Sequence, residues 1–219
     1  MPLHEIGLLR RSTGVALCVA GLLAMSYAGV RYASGIYRAD QARRLWDERE
    51  AEQQVARARA LVGESGPLSD VVAGAPVARL LIPRLGLDAI VLEGVGDDEL
   101  NAGPGHLPGS VLPGMRGNAI ISGHRDRHFF RLGELQLGDT IITESGQSTG
   151  SWVVTSRRVI GRAIPALFQT HDPTLTLTTC WPIRYFGTAP ERLIVAARLI
   201  AGTWNAASAA RSEPTRGRS

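Results

Sequence analysis

Followed by its apolar and polar positions, the chain changes character three times. Between Arg11 and Arg31 no residue is charged. The run STGVALCVAGLLAMSYAGV is about as long as the roughly 20 apolar residues that a helix needs to cross a bilayer. A cleaved signal would have an apolar region of about 7–15 residues closed by a small-x-small site. The longer run therefore predicts a retained transmembrane anchor over residues 12–37. His4, Arg10 and Arg11 lie on the short tail 1–11, and the positive-inside rule places that tail in the cytoplasm and the rest of the chain outside.

From Ala39 to Val62 the pattern shifts to Ala, Arg, Glu and Gln, which are strong helix formers. The stripe of Ala42, Leu45 and Trp46 is too thin for a coiled coil, so a solvated stalk helix is expected. Gly, Pro and Ser then punctuate GESGPLSDVVAGAP, Gly63 to Pro76, and a linker is placed there. Stalk and linker together occupy 38–75.

After Pro76 short apolar or alternating runs stand between turn signals: VARLLIP, LDAIVLEG, GNAIISG, DTIITES, SWVVTSRRVI, TLTLTTC and RLIVAARLI. This spacing predicts a closed or nearly closed, mainly β structure. DDELNAG and FFRLGEL each suit one short helical turn. No helix of 10–15 residues alternates with the runs, which argues against a parallel α/β sheet. The folded domain is assigned to 76–201, and the small, polar tail 202–219 is expected to be disordered.

Composition agrees with many turns, since Gly numbers 25 and Pro 12. The formal charge of +4 comes entirely from Arg, without Lys. Acids and bases are interspersed and no basic run is interleaved with aromatics, so nucleic acid is not an expected partner. Of the two cysteines, Cys18 lies in the apolar run and Cys180 in the folded domain. A disulfide between them is implausible, which leaves Cys180 a free thiol.

Cys180 follows the alternation TLTLTT, near a strand end where substrate can reach a sulfur. A buried cysteine that merely fills space is the ordinary alternative; a catalytic thiol needs a base and a donor for an oxyanion. Of the histidines, His4 precedes the anchor, and His106 in GPGHLPG and His171 are expected to be exposed loop residues. His124, which closes NAIISG, stands at a strand terminus as Cys180 does. His124, Asp126 and His128 also form H-x-D-x-H, whose alternate residues would share one face of an extended strand and suit a cation; no further ligand set accompanies them. Arg184 lies in the loop after Cys180. Arg192 opens the next run, where an antiparallel neighbour would bring its guanidinium beside the thiol, able to donate to an oxyanion or a substrate carbonyl.

ISGHRDRHFF with TLTTCWPIRYFGTAPERLIV resembles the signature of the sortases, membrane-anchored cysteine transpeptidases. The resemblance runs from about Pro76 to Ile200, and the segment CWPI to GTAPER is most similar to class D sortases and their relatives in Gram-negative bacteria. It implies an eight-stranded β-barrel, with His124 as catalytic histidine, Cys180 as nucleophile and Arg192 as catalytic arginine. Arg125 and Asp126 fall in the GHRD that commonly follows the histidine, where support of the site is expected. Trp181 and Leu193 depart from the usual Tyr at their positions, and Trp181 and Arg184 are the loop residues expected to help select the signal.

What the resemblance implies is cleavage of an LPXTG-like C-terminal sorting signal through a thioacyl enzyme, followed by transfer of the exported protein to an amine acceptor in ping-pong fashion. No cofactor or metal is called for. GPLSDVVAGAP lacks the aromatic of the lids carried by some pilus-building sortases, so an open site suited to anchoring is expected. Two other readings use the same residues: a catalytically inactive, membrane-tethered assembly protein on the same barrel, and a metal-dependent hydrolase built on His124, Asp126 and His128.

Overall fold

The computed structural model describes residues 3–60, 72–145, 148–161, 170–185 and 187–203. The chain begins with one helix, α1 (Leu3–Ala60), about 87 Å long at 1.5 Å per residue. It is followed by β1 (Pro76–Ile82), β2 (Leu87–Glu93), α2 (Asp97–Ala102), β3 (Gly105–His106), β4 (Asn118–Ser122), β5 (Thr140–Ser145), β6 (Ser148–Gly161), β7 (Thr174–Trp181) and β8 (Glu191–Thr203). Short 3-10 turns at Pro83–Leu85 and Leu132–Glu134 complete the described elements. Most of the expected linker and the tail beyond Thr203 lie outside the described residues.

Among the described residues the eight strands close into a barrel in the order β1-β2-β3-β4-β7-β8-β6-β5, with β5 returning to β1. Closure leaves no sheet edge for another chain to pair with. The alternation that predicted the strands is the alternation that fills the barrel. Leu175 and Leu177 on β7, Leu193 and Val195 on β8, and Ala119 and Ile121 on β4 join one core with Leu80, Ile82, Ile141 and Trp152. Trp152 satisfies its indole N–H by donating to Thr143 Oγ1 at 2.8 Å, so its bulk enters the core without an orphaned donor.

Most pairings are antiparallel, but β4 and β7 run parallel, from Asn118↔Thr174 to Ser122↔Thr178. Their C-terminal ends therefore reach the same rim. β8 is antiparallel to β7, so its beginning reaches that rim as well.

The solvated stalk expected from the sequence is corrected by the docking of α1 on the barrel. Ala42 and Trp46 are buried in a cluster with Ile90, Leu92 and Ala102. The stripe that was too thin for a coiled coil suits one partner surface. Polar contacts flank the cluster: Arg43 Nη2 donates to Asp88 O at 3.0 Å, Arg49 Nη1 to Pro76 O at 2.9 Å, and Arg38 pairs with Asp98 at 2.7 Å. Arg38, with Arg31 adding, holds the Asp98 carboxyl below the usual carboxylate range. Before this docked segment, Leu17, Leu22, Leu23, Met25, Tyr27 and Val30 stand exposed on a stretch long and apolar enough to cross a bilayer.

Candidate active site

Three strand termini meet at the shared rim. Cys180, the penultimate residue of β7, pairs directly across the ladder with Arg192, the second residue of β8. Directly paired residues project from the same face of a sheet, and Arg192 Nη1 donates to Cys180 Sγ at 3.7 Å. On the other side of β7, Ser122 is level with Thr178. The ladder ends there: His124 lies two residues past the end of β4, and Cys180 two residues past Thr178 on β7, at the same rim. Two contacts lock the strands there: Gly123 N donates to Thr178 O at 3.1 Å, and Thr179 Oγ1 to Gly123 O at 2.7 Å. His124, Cys180 and Arg192 are all partly exposed, and Cys180 is a free thiol.

The strand alternation decides which face carries the chemistry. Because Leu175, Leu177, Leu193 and Val195 fill the barrel, Cys180 and Arg192 belong to the opposite set and face outward. Substrate thus has access to the sulfur without entering the core.

After β4 the chain turns sharply rather than continuing extended. The His124 carbonyl accepts from Phe129 N at 3.1 Å and from Arg127 N at 3.3 Å. Phe129 is fully buried, and a Cβ on Gly123 would stand 2.6 Å from its ring. A glycine before His124 is what lets the ring seat and the turn close.

This turn overturns the H-x-D-x-H reading, which needed an extended strand. Residues 125–130 are turn, Asp126 is exposed and His128 is half-buried. Among the described residues no group of three or more His, Cys, Asp or Glu is placed to hold a metal ion. Burial pushes the His128 imidazole below its ordinary range, with the Arg127 and His124 charges adding to the effect. His128 Nδ1 is buried without a partner among the described residues.

Arg125, expected as support, is a staple. Its guanidinium donates to Pro182 O at 3.2 Å and to Gly187 O at 2.7 Å, and its carbon lies 5.8 Å from the Tyr185 ring centroid. It ties the loop after Cys180 to the residue after His124. Trp181 is turned toward the body of the domain: its ring lies within 3.3 Å of a Cβ built on Gly133, and it packs on the core. Arg184 is exposed.

His106 was expected in an exposed loop and is instead 3% exposed on β3. Its Nδ1 is 2.6 Å from Glu93 Oε2, and its Nε2 is 3.0 Å from Val111 O and 2.9 Å from Ser110 Oγ. The carbonyl can only accept, so Nε2 carries a proton and cannot take one from Ser110. The serine hydroxyl donates to Leu107 O at 2.8 Å. The cluster braces the connection between β3 and β4. His171 is exposed as expected.

The Sortase domain family model matches residues 80–200, more than half of the chain. The chain belongs to the sortase family. It is 32% identical to Sortase D of Bacillus subtilis over 118 residues, 53% of this chain, and the match spans 60% of that relative. The chain superposes on the Clostridium perfringens Sortase D5 transpeptidase with a TM-score of 0.60 at 23% identity, covering 77% of this chain and 99% of that one. It also matches the catalytic domain of Bacillus anthracis SrtD, with a TM-score of 0.53 at 30% identity over 64% of this chain and 97% of the other. No sequence signal singled out Arg127 or the burial of His106. Arg125 was visible only through the resemblance.

Proposed function

We propose that the protein is a membrane-anchored cysteine transpeptidase that cleaves an LPXTG-like C-terminal sorting signal on exported proteins and transfers them to an amine acceptor. Of the anchor assigned to residues 12–37, the uncharged run before Arg31 spans the membrane, and from Arg31 onward α1 docks on the barrel; residues 1–11 are cytoplasmic and the catalytic domain, 76–201, is outside. The observation that carries the reading is the Arg192–Cys180 pair at 3.7 Å, with His124 two residues past the end of the adjacent parallel strand β4.

In this scheme Cys180 attacks the threonine carbonyl of the signal as thiolate, forming a C–S bond. Arg192 donates to the oxyanion or to the signal as charge builds. His124 gives its proton to the departing amine as the peptide C–N bond breaks, leaving a thioacyl enzyme. An incoming amine then attacks the same carbonyl carbon and loses a proton to His124. The C–S bond breaks, and the thiolate–imidazolium pair is restored. Tethering both enzyme and substrate to one membrane raises their effective concentration for each other.

The test uses the full chain in detergent with a sorting-signal peptide and mass spectrometry of the intact protein. An acyl adduct on Cys180 that is absent from Cys180→Ala supports the reading. Cleavage that persists in Cys180→Ala but stops on chelation overturns it in favour of a metal hydrolase. The absence of both adduct and cleavage points to the inactive assembly protein.

A further inference from the structure

The turn that carries His124 is tied to α1 by the side chain of Arg127. Arg127 lies three residues after His124, and its backbone N–H donates to the His124 carbonyl. Its guanidinium leaves the barrel, donates from Nη1 to Asn101 O on α2 at 3.0 Å, and places its carbon 5.3 Å from the centroid of the Tyr32 ring on α1. The helix comes close enough for this because residue 35 is glycine. A Cβ there would stand 2.6 Å from Arg127 Nη1 and 2.8 Å from Asn101 O.

The charge on the guanidinium is matched to both partners, a carbonyl dipole and an aromatic face. The other contacts of α1 bind it to α2, β1 and β2 through Arg38, Ala42, Arg43, Trp46 and Arg49. They would hold the helix on the barrel without Arg127. What Arg127 adds is a link from the docked helix to the His124 turn, at the weaker of the two bonds to the His124 carbonyl, 3.3 Å against 3.1 Å.

We infer that Arg127 is a positioning residue through which the Tyr32–Gly35 stretch of the docked helix fixes the turn bearing His124, so that this stretch of α1 positions the site as well as tethering the domain. The inference rests on the proposed role of His124 as proton donor and acceptor. A displacement of that imidazole by about 1 Å is enough to slow proton transfer on the order of a hundredfold.

The experiment uses the full chain in detergent or lipid nanodiscs, with steady-state cleavage of a sorting-signal peptide. Arg127→Ala should lower kcat by about tenfold or more while KM stays within about twofold. Arg127→Lys, which keeps a cation for the Tyr32 ring and Asn101 O, should recover part of the loss. Tyr32→Ala changes a residue of α1 that is 61% exposed, so the barrel should fold, and it should lower kcat in the same sense. Tyr37→Ala, at another exposed ring of α1, should leave both constants unchanged. Should Arg127→Ala fail to fold, the Tyr32→Ala result decides. Wild-type kcat in Arg127→Ala and Tyr32→Ala, beside an inactive Cys180→Ala, overturns the inference and leaves the transpeptidase reading standing. Activity that persists in Cys180→Ala overturns both.

Discussion

Arg192 and Cys180 are direct partners across the β7–β8 ladder, with the guanidinium nitrogen 3.7 Å from the sulfur. The pairing is a consequence of backbone register, so neither side chain needs a flexible loop to find the other. Sites mounted on strands in this way hold their geometry through a reaction better than sites on loops.

Replacing that guanidinium separates charge from geometry. Arg192→Lys keeps a cation near Sγ but loses the planar fork that serves an oxyanion and a neighbouring carbonyl together. On the proposed mechanism kcat/KM for peptide cleavage should fall on the order of a hundredfold. Unchanged circular dichroism would show that the barrel survives. Near-wild-type turnover would remove Arg192 from the scheme.

Arg125 makes a different demand. Its two bonds to Pro182 O and Gly187 O shape the loop after Cys180 and touch no reacting atom. Arg125→Ala should loosen residues 182–190, raising amide exchange there while the β4 and β7 amides stay protected. KM for the peptide should rise about threefold to tenfold, from the loss of hydrogen bonds by a charged donor, with a smaller change in kcat. Unaltered exchange in the loop would count against the staple.

The alternation Thr174 to Thr179 was legible because each β7 residue answers to one face of its own strand. The placement of His124, Cys180 and Arg192 at strand termini was legible for the same local reason. The approach of Arg192 to Cys180 was legible too, as that of antiparallel neighbours; the parallel pairing of β4 with β7, which brings the His124 end of β4 to the same rim, was not, since it joins segments more than fifty residues apart. His106 was misread because GPGHLPG has the composition of a turn, whereas its burial is decided by Glu93, Ser110 and Val111 once β2 and β3 are side by side. Trp46 was misread because a stripe of two or three apolar residues carries no information about a partner that is a barrel wall.

That wall sets a limit on truncation. Trp46 is 8% exposed against Ile90, Leu92 and Ala102, and Trp46→Ala should cost about 2 kcal/mol, the scale for uncovering one large apolar side chain. Thermal denaturation of the full chain in detergent reads the loss. A fragment that starts at Val77 uncovers the whole patch, and it should melt lower and self-associate more than one that starts at Arg31. Equal melting temperatures for the two fragments would show that docking contributes nothing to stability.

His128 gives the domain an acid-side weakness. Burial first, then the Arg127 and His124 charges, hold its imidazole below the ordinary range, while the unfolded chain titrates near the usual value of about 6.5. Above that pH both states are neutral at this residue and the stability is intact. As pH falls below about 6.5, the unfolded chain takes up a proton that the folded domain resists, and stability is lost until the folded-state pKa is reached, by at most about 1.4 kcal/mol per pH unit for one proton. His128→Phe keeps a ring of similar shape, removes the titration, and relieves the unpartnered Nδ1. Its stability from pH 7.5 to 5.5, measured by urea denaturation, should therefore fall less steeply than that of the wild type. Identical slopes would mean that His128 protonates as readily in the folded domain as in the unfolded chain.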